Sequence, residues 1–263
     1  MSELDDDTAL EPVGEGAWEG RVTDRWSIGA GPNGGYIAAI LTRALMADSP
    51  FPQPLTMTVH YMTRPSPGPA RLTVERLRQG RSHATLLVRM AQGGPVAVAL
   101  ATTGRYRPDE PVSLQSEAPA YPPPEECISG KGPSIAGLTF RDRFATRVGS
   151  PDDLAFLRTS PGPAQTGGWS RLADGRPVDQ IAVPLLMDSW PPAMFSTFLG
   201  GNAPTIELTV HWRAEPRTDW HLLLFRSRFL AGGYVEEDGE MWDEDGRLVA
   251  QSRQLARFVP PTF

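Results

Sequence analysis

The sequence has a single cysteine, Cys127, in 263 residues, so it can form neither an intramolecular disulfide framework nor a cysteine-based zinc site. It has no excess of basic residues. The formal charge of −6 argues against a nucleic-acid backbone as the main partner, because that role needs a clustered cationic surface. No apolar run approaches the ~20 residues of a membrane-spanning helix. The opening MSELDDDTALEP is acidic and lacks the apolar centre of a secretion signal, so cytoplasmic residence without membrane attachment is expected. What is present, 40% hydrophobic and 21% charged residues, fits a folded chain of one or two domains with ample core.

One phrase occurs twice. TVHYMTRP begins at Thr58 and TVHWRAEP at Thr209, which sets His60 and His211 151 residues apart, the length of a small domain. Such a spacing signals duplication. The richest loop composition, PDEPVSLQSEAPAYPPPEECISGKGP, lies between the copies. The chain therefore divides into an N-terminal domain at 1–107, a Pro-rich linker at 108–134 and a C-terminal domain at 135–263.

Before the linker, EGRVTDRW reads as a strand and PNGGYIAAILTRALMAD as a helix. PLTMTVHYM, ARLTVERLRQG, HATLLVRMA and VAVALATTGRY read as four more strands. After it the order returns: TFRDRFATRV and GGWSRL are strand-like, and VDQIAVPLLMDSWPPAMF is apolar with a helix-compatible centre. TIELTVHW, HLLLFRSRFL, YVEEDGEMW and LVAQSRQLARF then follow as strands. In YIAAILTRAL the apolar residues cover nearly the whole helix circumference, so something must wrap it. A curved antiparallel sheet with one apolar face can do so. Leu55, Met57, Val59 and Tyr61 alternate with Thr56, Thr58 and His60, and Ile206, Leu208, Val210 and Trp212 repeat the alternation in the second copy.

Two residues of the second copy break the apolar pattern without reference to any family. Asp188 interrupts IAVPLLMDSW, and a carboxylate beside a buried helix needs a partner or a function. It could also be the N-cap of a helix starting at WPP. Gln254 falls on the inward face of the last strand with Ala250, Ser252 and Ala256, where its amide needs partners at both ends. Asp188 is one candidate partner, and a core glutamine bonded to backbone is the plainer alternative.

The GGY opening of a buried helix, LTVHYMTRP, WDEDGRLVAQSRQ and the duplication together resemble the double-hotdog acyl-CoA thioesterases, in particular relatives of bacterial acyl-CoA thioesterase II, from about Gly20 to Phe258. The resemblance implies an α+β double hotdog, two helix-wrapped antiparallel sheets joined in one chain. It also implies hydrolysis of acyl-CoA, a homodimer, and an attacking water held by Asp188, Thr205 and Gln254. Asp188 would act as general base, with no cofactor. Strict alternation puts Thr205 outward, so it can join the site only if the strand begins irregularly after Asn202-Ala203-Pro204. PNGGY supplies candidate oxyanion donors in the backbone N–H groups of Gly35 and Tyr36, at the positive end of the helix, unless the glycines serve only turn and packing.

The copies are not equivalent. The first has no carboxylate between Gly34 and Met46, Pro54 where the second has Thr205, and Thr102 where the second has Gln254. One site per chain is expected, with base and water from copy two and oxyanion donors from copy one. Gly29, Gly31 and Gly34 spell G-x-G-x-x-G, but RWSI before them is too short and polar for a central parallel strand. His60 and His211 lie on polar strand faces without further ligands, so no metal is expected. The rival function is a catalytically silent acyl-thioester or lipid binding protein on the same fold. A hotdog hydratase fits less well, because it would use a histidine with its aspartate.

Overall fold

The computed structural model describes residues 2–29, 31–106, 114–132, 137–154, 158 and 160–261. The domain limits expected at 107–108 and 134–135 lie outside the described residues. A short helix α1 (Glu3–Asp7) precedes strands β1 (Leu10–Gly14) and β2 (Ala17–Val22). The main helix α2 (Gly34–Asp48) follows, then β3 (Gln53–Tyr61), β4 (Gly68–Gln79), β5 (His83–Ala91) and β6 (Pro95–Gly104). The second half holds β7 (Ile128–Ser129), β8 (Phe144–Val148), β9 (Gln165–Leu172), and the short helices α3 (Ala182–Leu186) and α4 (Phe195–Phe198). It ends with β10 (Thr205–Trp212), β11 (His221–Arg226), β12 (Leu230–Ala231), β13 (Tyr234–Asp243) and β14 (Leu248–Arg257).

The strands form one large antiparallel sheet in the order β1-β2-β4-β5-β6-β3-β10-β14-β13-β11-β9-β8-β7, with β12 on β13. Its centre is the repeated phrase. Thr58 pairs with Thr209, their hydroxyls 2.8 Å apart, and the buried Val59 and Met57 pair with the buried Leu208 and Val210. The phrase occurs twice because its two copies are the strands that meet. His60 and His211 are exposed beside this seam, on the polar face the alternation gives them.

Helix α2 starts where Asn33, in extended backbone, caps it through a bond from the Tyr36 N–H to Oδ1. It ends before Pro50, which cannot extend it. Its buried residues, Gly35 to Leu45 apart from Arg43, pack against β3, β4, β5, β6 and α3.

The second copy is less regular. Of the apolar run 178–195 only Ala182–Leu186 is α-helix before α4 begins. Pro191 and Pro192 lack N–H groups, and proline disfavours helical backbone at the residue before it. In TFRDRFATRV the first five residues form a 3₁₀ turn and only Phe144–Val148 is strand. HLLLFRSRFL likewise stops as a strand at Arg226, and the chain turns back onto β13 through Gly232 and Gly233, both at positive φ. The described part of the 108–134 segment packs on the second half: Trp169 donates to the Pro122 carbonyl at 2.7 Å, and Cys127 joins Trp169, Leu222 and Trp242 in a small apolar cluster.

Candidate active site

Asp188 follows α3 and precedes the two prolines, and no helix begins at WPP. It is therefore not that helix's N-cap. Its Oδ2 reaches instead to the start of α2, accepting the Gly35 N–H at 2.8 Å and the Asn33 Nδ2–H at 2.9 Å. Asn33 Nδ2 also donates to the Asp188 carbonyl at 3.0 Å. Asn33 thus caps α2 with one end of its amide and clamps Asp188 with the other. The carboxylate gains from the partial positive charge at the helix start.

The glycines make this approach possible. A Cβ on Gly35 would lie 2.7 Å from the Pro184 carbonyl oxygen and 2.8 Å from Asp188 Cβ; one on Gly34 would lie 3.1 Å from Asp188 Oδ2 and 3.2 Å from Tyr61 Cζ. Tyr61, the last residue of β3, donates to the Gly34 carbonyl at 2.9 Å. The N–H groups of Gly35 and Tyr36, expected to be free for an oxyanion, are both engaged, one by Asp188 and one by Asn33. The Gly34 N–H is the amide of this turn without a protein acceptor among the described residues.

Thr205 and Gln254 meet. The register of β10 against β14 shifts between Thr205 and Glu207, and this irregularity turns the threonine to the inner face despite its position in the alternation. Its hydroxyl donates to Gln254 Oε1 at 3.0 Å. Gln254 Nε2 donates not to Asp188 but to Glu237 Oε1 at 2.7 Å, directly across the β13–β14 pair. Glu237 Oε2 accepts the Ala193 N–H, tying the segment that carries Asp188 to the same cluster. Trp190, donating to Ser170 Oγ at 3.0 Å, pins that segment to β9.

Burial decides the electrostatics. Glu237 is 6% and Gln254 8% exposed, whereas Asp188 and Thr205 are only partly buried. Desolvation pushes Asp188 up to about 6, against the opposing pull of the Gly35 N–H and Asn33. Desolvation likewise pushes Glu237 up to about 7, with the charge of Asp188 adding to the rise and the Ala193 N–H and Gln254 opposing it. A carboxylate poised near neutral pH, with Oδ1 free of hydrogen bonds from described residues, can take a proton from water.

Glu237, Asn33 and Tyr61 have no place in the sequence-derived site. Glu237 was detectable: in YVEEDGEMW it shares parity with Val235 and Met241, both buried. Asn33 and Tyr61 carry no such mark, because their roles arise from the packing of one half on the other. Among the described residues no group of three or more His, Cys, Asp or Glu side chains could hold a metal ion, and no helix is long and apolar enough to cross a membrane.

Residues 22–104 match the acyl-CoA thioesterase N-terminal domain, and residues 116–258 match the acyl-CoA thioesterase C-terminal domain. The chain belongs to the acyl-CoA thioesterase family. A thioesterase II candidate from Thermobifida fusca is 28% identical with a TM-score of 0.90, covering 98% of each chain. A hotdog-fold protein of unknown function from Alicyclobacillus acidocaldarius is 27% identical with a TM-score of 0.89 over 100% of both. An uncharacterized protein of Mycobacterium tuberculosis is 29% identical, covering 91% of this chain and 90% of its own length. The large antiparallel sheet around a buried helix is thus of the hotdog type.

Proposed function

We propose that this protein hydrolyses acyl-CoA thioesters by general-base activation of water, in one site per chain built across the two halves of a double hotdog. The observation that carries this reading is the partly exposed Asp188 carboxylate, fixed through Oδ2 at the start of α2 and open at Oδ1, with the Thr205–Gln254 pair tied to the same segment through Glu237. Asp188 takes a proton from a water positioned by Thr205 and Gln254. The water oxygen bonds to the acyl carbon, the tetrahedral oxyanion collapses, and the C–S bond breaks. The departing CoA thiolate receives the proton held on Asp188. No covalent intermediate is needed. The oxyanion donor assigned is the Gly34 N–H, because those of Gly35 and Tyr36 are already used.

The enzyme is read as a cytoplasmic homodimer by family resemblance. The occupied Gly35 and Tyr36 amides favour one alternative, a protein that binds acyl thioesters without cleaving them. Thiol release on mixing with acyl-CoAs of graded chain length separates the two. Release that depends on Asp188 supports hydrolysis, and saturable binding without release supports the alternative.

A further inference from the structure

We propose that Glu237 is a positioning residue that acts through Gln254, setting the direction of the hydrogen bonds that Gln254 and Thr205 make in the water-holding group. The inference rests on the reading of Asp188, Thr205 and Gln254 as that group, and it concerns a residue outside it. Both Glu237 oxygens accept from N–H donors: Oε1 from Gln254 Nε2 at 2.7 Å and Oε2 from the Ala193 backbone. A carboxylate in that setting has no donor role, which fixes the amide of Gln254 with nitrogen toward Glu237 and oxygen toward Thr205. The Thr205 hydroxyl must then donate to Gln254 Oε1, as its 3.0 Å contact has it. Its remaining lone pairs face the site as acceptors.

The consequence is a polarised relay. A water between Asp188 and Thr205 donates one hydrogen to each and can accept from the second Nε2–H of Gln254. That leaves one lone pair for the acyl carbon. Were the Gln254 amide reversed, its nitrogen would donate to Thr205, Thr205 would turn its hydrogen into the site, and Gln254 would present oxygen in place of the N–H that meets the water. The water would lose the orientation that aims its lone pair at the substrate.

The surroundings enforce this arrangement. Glu237 is buried on the inner face of β13 between Val235 and Gly239, and Gly239 is closely approached by Ser252, Met187 and Phe225. Water cannot readily replace a lost partner there. The charged groups acting on Glu237 are Asp188, from the segment after α3, and its own neighbour Glu236. Both are acidic, and neither neutralises it. Ionisation of Glu237 is therefore a switch for the direction of the relay, distinct from ionisation of the base itself.

The test combines a readout in free protein with kinetics. In the wild type, the side-chain amide resonances of Gln254, assigned by their loss in Gln254→Met, should shift with pH as Glu237 ionises, and in Glu237→Gln this shift should vanish. In acyl-CoA hydrolysis, the acid limb of log kcat/KM should approach a slope of two in the wild type and of one in Glu237→Gln, with kcat lowered about tenfold or more and KM little changed. Glu237→Asp should recover part of kcat. Gln254 amide signals that do not titrate overturn the proposal even if the protein hydrolyses nothing. If hydrolysis occurs, a wild-type slope of one, or an unchanged kcat in a folded Glu237→Gln, overturns it as well. Absence of hydrolysis with a titrating Gln254 amide overturns the proposed activity and leaves the relay standing.

Discussion

The side chain of Asp188 accepts the backbone N–H of Gly35 at 2.8 Å, across 153 residues of sequence. The bond joins the second copy's carboxylate to the first copy's helix, and it predicts opposite effects on activity and stability. Asp188→Asn retains an oxygen able to accept from Gly35 while removing both the proposed base and a partly buried charge. Turnover should fall by about 10²–10⁴-fold with little change in KM. The melting temperature should be unchanged or higher at pH 8. Steady-state kinetics and thermal unfolding of one preparation check both, and full activity in a folded Asp188→Asn would remove Asp188 from the mechanism.

Asn33 serves two elements at once, capping α2 and clamping Asp188. Asn33→Asp can keep the cap, because its carboxylate still accepts the Tyr36 N–H, but it puts a second negative charge beside Asp188. The acid limb of the pH–rate profile, to which Asp188 at about 6 and Glu237 at about 7 are proposed to contribute, should move to higher pH through the Asp188 component. Asn33→Ala should instead cost about 1 kcal/mol of stability through the lost cap. A pH–rate profile of Asn33→Asp that coincides with the wild type would mean that the clamp does not tune the base.

The sequence carries the strands and the main helix through alternation and all-round apolarity, which are local signals: β5 and β10 have the limits the pattern predicts. Asp188 and Gln254 stood out because polar groups on apolar faces need partners. What local pattern cannot supply is who those partners are. Alternation turned Thr205 outward, and only the register shift in β10 turns it in. Gly35 and Tyr36 were correctly placed at the helix start, yet their N–H groups are taken by Asp188 and Asn33, whose approach depends on tertiary packing. The short acidic helix α1, the edge strand β1 and the breakdown of helix around Pro191 were likewise beyond period counting.

Three groups whose values desolvation shifts should shape stability against pH, with signs that differ. Asp188 and Glu237 are raised from 3.8 to about 6 and from 4.5 to about 7, so the folded state holds protons that the unfolded state has released. The stability each contributes is present below its unfolded value and is lost as pH rises through its folded one. His221, lowered by burial from 6.5 to about 4, acts the other way: its contribution is present above 6.5 and is lost as pH falls toward 4. Denaturant unfolding from pH 4 to 8 should therefore show a smaller decline toward alkaline pH in Asp188→Asn than in the wild type, by up to about 3 kcal/mol. His221→Phe should flatten the acid side by a similar amount. Parallel curves for wild type and variants would mean that these groups do not titrate differently on folding.

Gly35→Ala gives the most direct test of how closely the halves must meet. Inside a helix, alanine ordinarily stabilises relative to glycine by about 1 kcal/mol, so propensity alone predicts a gain. Packing predicts the reverse, because the new Cβ would sit 2.7 Å from the Pro184 carbonyl oxygen and 2.8 Å from Asp188 Cβ, one a backbone atom and the other at the root of its side chain. Neither can rotate away. Relief requires α2 and the α3 segment to separate, which lengthens the Gly35–Asp188 hydrogen bond and displaces the carboxylate from the water it is proposed to activate. The expected result is a net loss of about 1–3 kcal/mol together with at least a tenfold fall in kcat, since misplacement of a general base is felt in turnover. Gly34→Ala, where the nearest atoms are the Asp188 carboxylate oxygen at 3.1 Å and the Tyr61 ring at 3.2 Å, should be milder in stability. Melting temperatures and acyl-CoA turnover of the two variants decide it: a Gly35→Ala protein more stable than the wild type and fully active would show that the two halves approach less closely here than the geometry states.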